Sequence, residues 1–271
     1  MRSTRKADQS KFRPPKAGEF FSFLPTGALK EFQAAVSLVC YPAHKVLFSE
    51  QQEASRILIL VEGSAKISVN SRDGKRLILW IAKPLELLGL TSVLSGNGYE
   101  VTAETVQPCR IASIRRQKFL DFLMRHPAAY QGIVCELTVE MNRACEQMRI
   151  MGLSPSASVK LARLLLEWSA GGRATAHGTS VSISLTHEEM GECIGVTRET
   201  VSRAMTDLRQ RRLIHMHGAA ITITSRFALE SFAQGLHRAM PAPSRTIGLS
   251  RARLPGIHRR EVTEITAGRQ A

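Results

Sequence analysis

The sequence contains no apolar run near the roughly 18 residues that a membrane-spanning helix requires. Its start, MRSTRKADQSKFRPPKAGEF, is basic but has no apolar core behind it, so it does not read as a secretory signal, and a cytoplasmic, non-membrane protein is expected. Also missing are C-x-x-C and any tight Cys/His spacing. Cys40, Cys109, Cys135, Cys145 and Cys193 are odd in number and widely spread, which favours reduced, mostly buried thiols over a disulfide framework or metal site. There is no G-x-S-x-G, H-E-x-x-H or phosphate-cradling P-loop, and no acid spacing that suggests a catalytic pair, so an enzyme is not expected. Acids are scarce: 23 against 37 lysines and arginines, a net charge of +14. Residues 1–16 carry six bases and one acid, and residues 238–271 seven and two, so much of the excess sits in the ends and says little about a nucleic-acid site.

What is present falls into segments. Residues 1–22 read as a basic disordered tail, and 23–125 as short β-rich runs (KVLFSE, RILILVEGSAKISVN, KRLILWIA, YEVTAETV, CRIASI), with Asp73-Gly74 as a hairpin turn. Strands without interleaved helices imply an antiparallel sandwich or barrel, closed by a short helical piece at Asp121–Met124. From 126 to 152 the period changes. Tyr130, Val134, Leu137, Met141, Ala144, Met148 and Met151 recur at alternating spacings of 4 and 3, which predicts a helix with a heptad seam for a two-helix dimer interface. An amphipathic helix packed on its own domain is the alternative reading. Gly152 and Pro155 mark a hinge, 153–235 a second domain, and 236–271 a Pro/Arg/Ser-rich basic tail without apolar periodicity.

The second domain opens with SVKLARLLLEWSA, stopped by Gly171-Gly172, then a strand SVSISL, then LTHEEMGECIGVTRETVSRAMTDL, then two β-runs in RLIHMHGAAITIT. Thr186 with Glu189 three positions on forms a capping box, Gly191 permits close helix crossing, Gly195 can end the helix in a left-handed conformation, and Thr197 caps the next. Met190, Ile194, Val196, Val201, Ala204 and Leu208 supply the apolar set that locks the two helices. This is a helix-turn-helix, and the whole fits a winged one. Glu199, Ser202 and Arg203 then share the opposite face, with Arg198 beside them. An arginine fork can bind guanine O6 and N7, a glutamate can accept from cytosine N4, and a serine can serve either role. Arg209, Arg211 and Arg212 either touch phosphates or complement the helix dipole.

These residues resemble the Crp/Fnr transcription regulators, and the resemblance extends over about residues 23–230. It implies an α+β chain: an N-terminal antiparallel β-roll (jelly-roll, cyclic-nucleotide-binding-like), a long dimerisation helix and a C-terminal winged helix-turn-helix. The recognition helix satisfies the Arg-Glu-x-x-x-Arg of the cyclic-AMP branch through Arg198, Glu199 and Arg203, and the Glu-x-x-Ser-Arg of the oxygen-sensing branch through Glu199, Ser202 and Arg203. The implied partners are a second copy of the chain and double-stranded DNA bearing a palindrome with TGTGA- or TTGAT-like half-sites. Thr186, His187, Thr197 and Thr200 match the family's phosphate-holding positions. RNA polymerase and a small-molecule effector are further possible partners.

The effector segment departs from the family. In LLGLTSVLSGNGYEVTAET, Gly89 is followed by Leu90 where the cyclic-nucleotide cassette has Glu, and Tyr99-Glu100 stand at its Arg-Ser position. A carboxylate where a guanidinium should hold phosphate reverses the site's electrostatics, so cyclic AMP is not expected. Gly89, Leu90, Tyr99 and Glu100 are the candidate pocket for an uncharged or cationic effector; the alternative reading makes Tyr99 and Glu100 strand residues facing solvent and core. The family's clustered N-terminal cysteines for an iron-sulfur centre are absent, Cys40 standing alone, and no cofactor is predicted; haem stays open through lone histidines such as His44 and His126. The rival reading is a β-roll regulatory module of an enzyme or channel, which would show an intact nucleotide cassette and no recognition helix.

Overall fold

The structure, a computed structural model, describes residues 19–169, 172–175, 177–182, 185–217 and 220–234. Residues 1–18 and 235–271, and with them nearly all of both expected tails, lie outside the described residues, as do Gly171 and part of the SVSISL run. The chain begins with two short helices, α1 (Glu19–Ser22) and α2 (Thr26–Ala35), followed by strands β1 (Ser37–Tyr41), β2 (Val46–Phe48), β3 (Arg56–Glu62), β4 (Ala65–Asn70), β5 (Arg76–Ala82) and β6 (Leu87–Leu88). Helix α3 (Leu90–Ser95), strands β7 (Thr102–Thr105) and β8 (Cys109–Arg115), and helix α4 (Arg116–Arg125) complete the sensor portion. Two antiparallel four-stranded sheets result, ordered β1-β8-β3-β6 and β2-β7-β4-β5, which is the expected roll.

The turn between β4 and β5 falls where Asp73-Gly74 predicts it, with Gly74 at φ +81° and the Ser71 amide donating to the Lys75 carbonyl at 2.8 Å. The strand reading misses α1, α2 and α3, while the short helical piece expected at Asp121–Met124 falls within the longer α4. Residues 19–22, expected in the tail, instead form α1, because Phe20 and Phe21 are buried among Phe32, Phe119 and Phe122, with ring centroids 5.1–6.4 Å apart. Such edge-on clusters anchor a segment beyond what its basic flank suggests.

Helix α5 (Ala129–Leu153) runs through Gly152 and stops at Ser154, which is extended. Its internal Gly132 has a packing role: a Cβ there would stand 2.8 Å from the Phe20 Cα, so α1 crosses α5 at that point. The C-terminal portion then comprises α6 (Ala157–Ser169), β9 (Arg173–Thr175), β10 (Gly178–Ser182), α7 (His187–Ile194), α8 (Arg198–Gln210), β11 (Ile214–His217), β12 (Ala220–Ile223) and α9 (Arg226–Ala233). Its strands form one antiparallel sheet, β11-β12-β10-β9. The β11–β12 wing and three helices match expectation; β9 and α9 are additional.

Two apolar cores form. One fills the roll; the other joins Val159, Leu161, Leu165, Met190, Ile194, Val201, Leu208 and Leu229, and it also takes in Ile150 of α5 and Ile78 of β5. The outer face of the β5-edge sheet is therefore covered by the C-terminal portion. In β4 the residues Ala65, Lys66, Ile67 and Ser68 are all buried, the pattern of a strand enclosed on both faces.

Candidate nucleic-acid interface and effector cavity

The turn between α7 and α8 is built as its sequence dictates. Thr186 accepts the Glu189 amide at 3.2 Å while the Glu189 carboxylate accepts the Thr186 amide at 2.8 Å, so both halves of the capping box are made. Gly195 closes α7 at φ +66°, and a Cβ on Gly191 would stand 2.5 Å from the Val196 carbonyl oxygen. Only glycine lets the backbones approach that closely. Thr197 caps α8 by accepting the Thr200 amide at 3.3 Å.

With Val201, Ala204, Met205 and Leu208 buried, α8 presents Arg198, Glu199 and Arg203 to solvent, where none makes an ion pair with another described residue. Ser202 is half-buried; its hydroxyl donates to the Arg198 carbonyl at 3.1 Å and lies 3.0 Å from His187 Nδ1. His187 and Ser202, fifteen residues apart, are thus brought together across the two helices. Thr186, His187, Glu188 and Arg198 line a recess of about 300 Å³ at the start of α7. Among the three arginines at the end of α8, Arg211 is engaged: its Nε meets Asp207 at 2.7 Å and its guanidinium lies 5.2 Å from the Phe232 ring centroid.

The seam residues divide. Tyr130, Val134, Met141 and Met148 are 47–64% exposed and Ala144 is exposed, leaving an uncovered apolar stripe on α5. Leu137 packs partly into the roll's core, and Met151 lies against Gly195, where a Cβ would meet its Cε at 2.4 Å. These two seam positions serve their own chain. The reason is that α5 also carries the roll on one side and the C-terminal portion on the other.

A cavity of about 460 Å³, within the usual range of ligand sites, lies between the roll and α5. Gly89, Leu90 and Glu100 line it as expected, together with Phe48, Trp80, Glu140 and Met141. Tyr99 does not. Its ring stacks on Phe48 at 3.9 Å, packs against Gly89, and its hydroxyl donates to the Arg56 carbonyl at 2.5 Å, so it is a core residue. Tyr99 precedes β7, and a tyrosine with a polar tip and an apolar body gives no sign in the sequence of which way it faces. Among the described residues Glu100 and Glu140 are the charged ones that line the cavity, and no lysine or arginine does so. Burial pushes the Glu140 carboxyl above its ordinary value, only partly offset by the Thr91 hydroxyl that donates to it at 2.8 Å. The Trp80 indole N–H is buried with no acceptor among the described residues. The histidines left open for haem are separate: His44 lies 3.7 Å from Glu104, and His126 bonds Glu31 at 2.7 Å. Among the described residues no group of three or more His, Cys, Asp or Glu could hold a metal ion.

Sequence reasoning missed one constellation. Lys66, with a side chain only 3% exposed, bridges Glu104 at 3.0 Å and Glu189 at 2.9 Å, while Arg76 reaches Glu104 at 3.2 Å and Glu192 at 2.9 Å. A lysine amid apolar strand residues in AKISVN is a signal that something compensates it. The partner, 123 residues away, had no local signal.

Comparison with known proteins matches residues 38–126 to the cyclic nucleotide-binding domain and residues 159–232 to the Crp-like helix-turn-helix domain. The chain is thus a DNA-binding transcription regulator with a cyclic-nucleotide-binding-type domain, and not an enzyme. It is 30% identical over 186 residues to the transcriptional activatory protein AadR of Rhodopseudomonas palustris, covering 68% of this chain and 76% of that one. It is 24% identical over 184 residues to the cAMP-activated global transcriptional regulator CRP of Haemophilus influenzae, covering 68% and 82%. In fold it is similar to FixK2 from Bradyrhizobium japonicum (TM-score 0.66, 21% identity, 72% of this chain and 96% of that one) and to a CooA mutant from Carboxydothermus hydrogenoformans (0.65, 16%, 83% and 98%). The chain belongs to the Crp/Fnr family of transcription regulators.

Proposed function

We propose that the chain is a homodimeric regulator that reads a palindrome of TGTGA- or TTGAT-like half-sites, one α8 in each major groove. The observation that carries this reading is the pair of faces on α8. One is fully buried; the other carries Arg198, Glu199 and Arg203 exposed and without partners among the described residues. Glu199 and Arg203 would read the shared GA step, with Arg198 and Ser202 beside them. Thr186, His187, Thr197 and Thr200 cluster around the turn where phosphate contacts fix register. Residues 126–152 supply the two-fold axis through the exposed stripe of α5, linking the sensor (to 125) with the reader (153–235).

The cavity supports an effector other than cyclic AMP. With two carboxylates and no cation among the described residues of its lining, it would disfavour a cyclic phosphate, while an apolar, uncharged or cationic molecule fits its walls. Among the described residues no helix is long and apolar enough to cross a membrane, and this reading puts the protein in the cytoplasm, with RNA polymerase as a further partner at promoters.

Sedimentation velocity of the full chain beside Val134→Glu and Met148→Glu tests the dimer. Both positions are exposed, so the expected result is a dimer for the parent and folded monomers for the variants; a monomeric parent would overturn the reading. Titration with cyclic AMP is expected to give no binding heat.

A further inference from the structure

The ionic cluster of Lys66 and Arg76 with Glu104, Glu189 and Glu192 joins two parts of the molecule that the hinge at 154–156 would otherwise leave free to rotate. Lys66 and Glu104 are cross-strand partners of β4 and β7, and Arg76 begins β5, so the sensor contributes both cations and one carboxylate from a single outer sheet face. The reader contributes Glu189 and Glu192, one helical turn apart on α7. Apolar and neutral contacts extend the same interface: Ile78 enters the reader's core, and the Gln147 amide donates to the Cys193 carbonyl at 2.6 Å and to the Ile78 carbonyl at 3.4 Å. Burying a lysine between two carboxylates is costly unless its geometry is held, so the cluster favours one orientation of α7 over many.

That orientation leaves α8 open. The acids of α7 are consumed by the sensor, while Arg198, Glu199 and Arg203 on the next helix stay exposed. The docked state therefore presents the outer face of α8 to solvent. Glu189 also ties the cluster to the DNA-facing turn, because one carboxylate oxygen accepts from Lys66 and the other from Thr186.

We propose that Lys66 and Arg76 of the sensor sheet are positioning residues for DNA recognition: through Glu189 and Glu192 they fix the reader's orientation, and hence the separation of the two recognition helices in a dimer. This rests on the dimeric, two-half-site reading above. Reading two successive major-groove turns demands helices about 34 Å apart, and a reader docked in advance spares the ordering cost that a freely hinged one meets on binding.

The experiment measures anisotropy of three labelled duplexes: a TTGAT-type palindrome, the same palindrome with about 5 base pairs, half a helical turn, inserted at its centre, and a single half-site. The proteins are the full chain, Arg76→Gln, Glu192→Gln, the double variant and Arg76→Lys. Each single Gln variant is expected to bind the intact palindrome about tenfold more weakly, and the double no more weakly than either single. Single half-site affinity stays within about twofold of the parent, preference for the intact spacing shrinks by the same tenfold, and Arg76→Lys recovers most of the loss. Equal weakening on all three duplexes would mean a general folding effect and overturn the proposal, as would palindrome affinity that does not change. A parent chain that binds the intact and expanded palindromes alike would overturn the dimeric reading itself, and the positioning role with it.

Discussion

Helices α7 and α8 are neighbours in sequence, both capped by threonine, and opposite in use. Both carry charged residues one turn apart on one face and an apolar set on the other. On α7 the charges, Glu189 and Glu192, are spent on Lys66 and Arg76 of the sensor sheet. On α8 the charges, Arg198, Glu199 and Arg203, meet no described partner. The difference lies in what each helix touches. A charged face that the fold has already neutralised is architecture, whereas one left exposed on a rigid, capped helix is available to a ligand that supplies the missing charge and donors.

The comparison can be broken most forcefully at Lys66. Lys66→Met leaves Glu104 and Glu189 facing each other without their shared cation, and a loss of about 3–5 kcal/mol in unfolding free energy is expected from denaturant titration. The matching loss for Arg203→Ala should be within about 0.5 kcal/mol of zero, because that side chain is exposed. Next in size is Gly191→Ala. The added Cβ would press on the Val196 carbonyl oxygen, and spreading the two helices should cost about 1–3 kcal/mol and weaken DNA binding along with stability. Thr186→Ala removes a cap, for about 1 kcal/mol.

Acidity sharpens the contrast by a different route. Burial alone would push the Glu189 carboxyl up, but the hydrogen bonds and charge of Lys66 and the Thr186 donors outweigh it and hold the group below its ordinary value of 4.5. Because the folded value lies below the unfolded one, the stabilisation is present above pH 4.5 and is lost as pH falls through the lower folded value. Urea midpoints measured across that window should fall less steeply for Glu189→Gln than for the parent. Glu140, raised by burial, works in the opposite direction, since acid relieves its cost.

Legibility followed range. The helix-turn-helix was readable because its caps, glycines and apolar set are all local, and the structure forms the capping box between Thr186 and Glu189. The roll's strands were readable from alternation and the Asp73-Gly74 turn. Helices α1, α2 and α3 were not: they are short, and α1 owes its place to Phe20 packing on Gly132 of α5, more than a hundred residues away. Tyr99 was assigned to the cavity because motif alignment gives a position but not a facing, and stacking on Phe48 turned it into the core. On α5 a strict heptad suggested one seam, yet Leu137 and Met151 are drawn to the chain's own domains. The cluster around Lys66 was beyond any local pattern, because the strand and the helix that meet there place Lys66 and Glu189 123 residues apart in sequence.

The most direct test of the central claim is an anisotropy titration, at physiological salt, of the parent and Arg203→Ala against a TTGAT-type palindrome and a scrambled duplex of equal length. The account predicts that the parent prefers the palindrome and that Arg203→Ala forfeits about 1–3 kcal/mol of that preference while its affinity for the scrambled duplex hardly changes. Equal binding of both duplexes by the parent, with no effect of the substitution, would contradict the reading of α8 as the base-contacting helix.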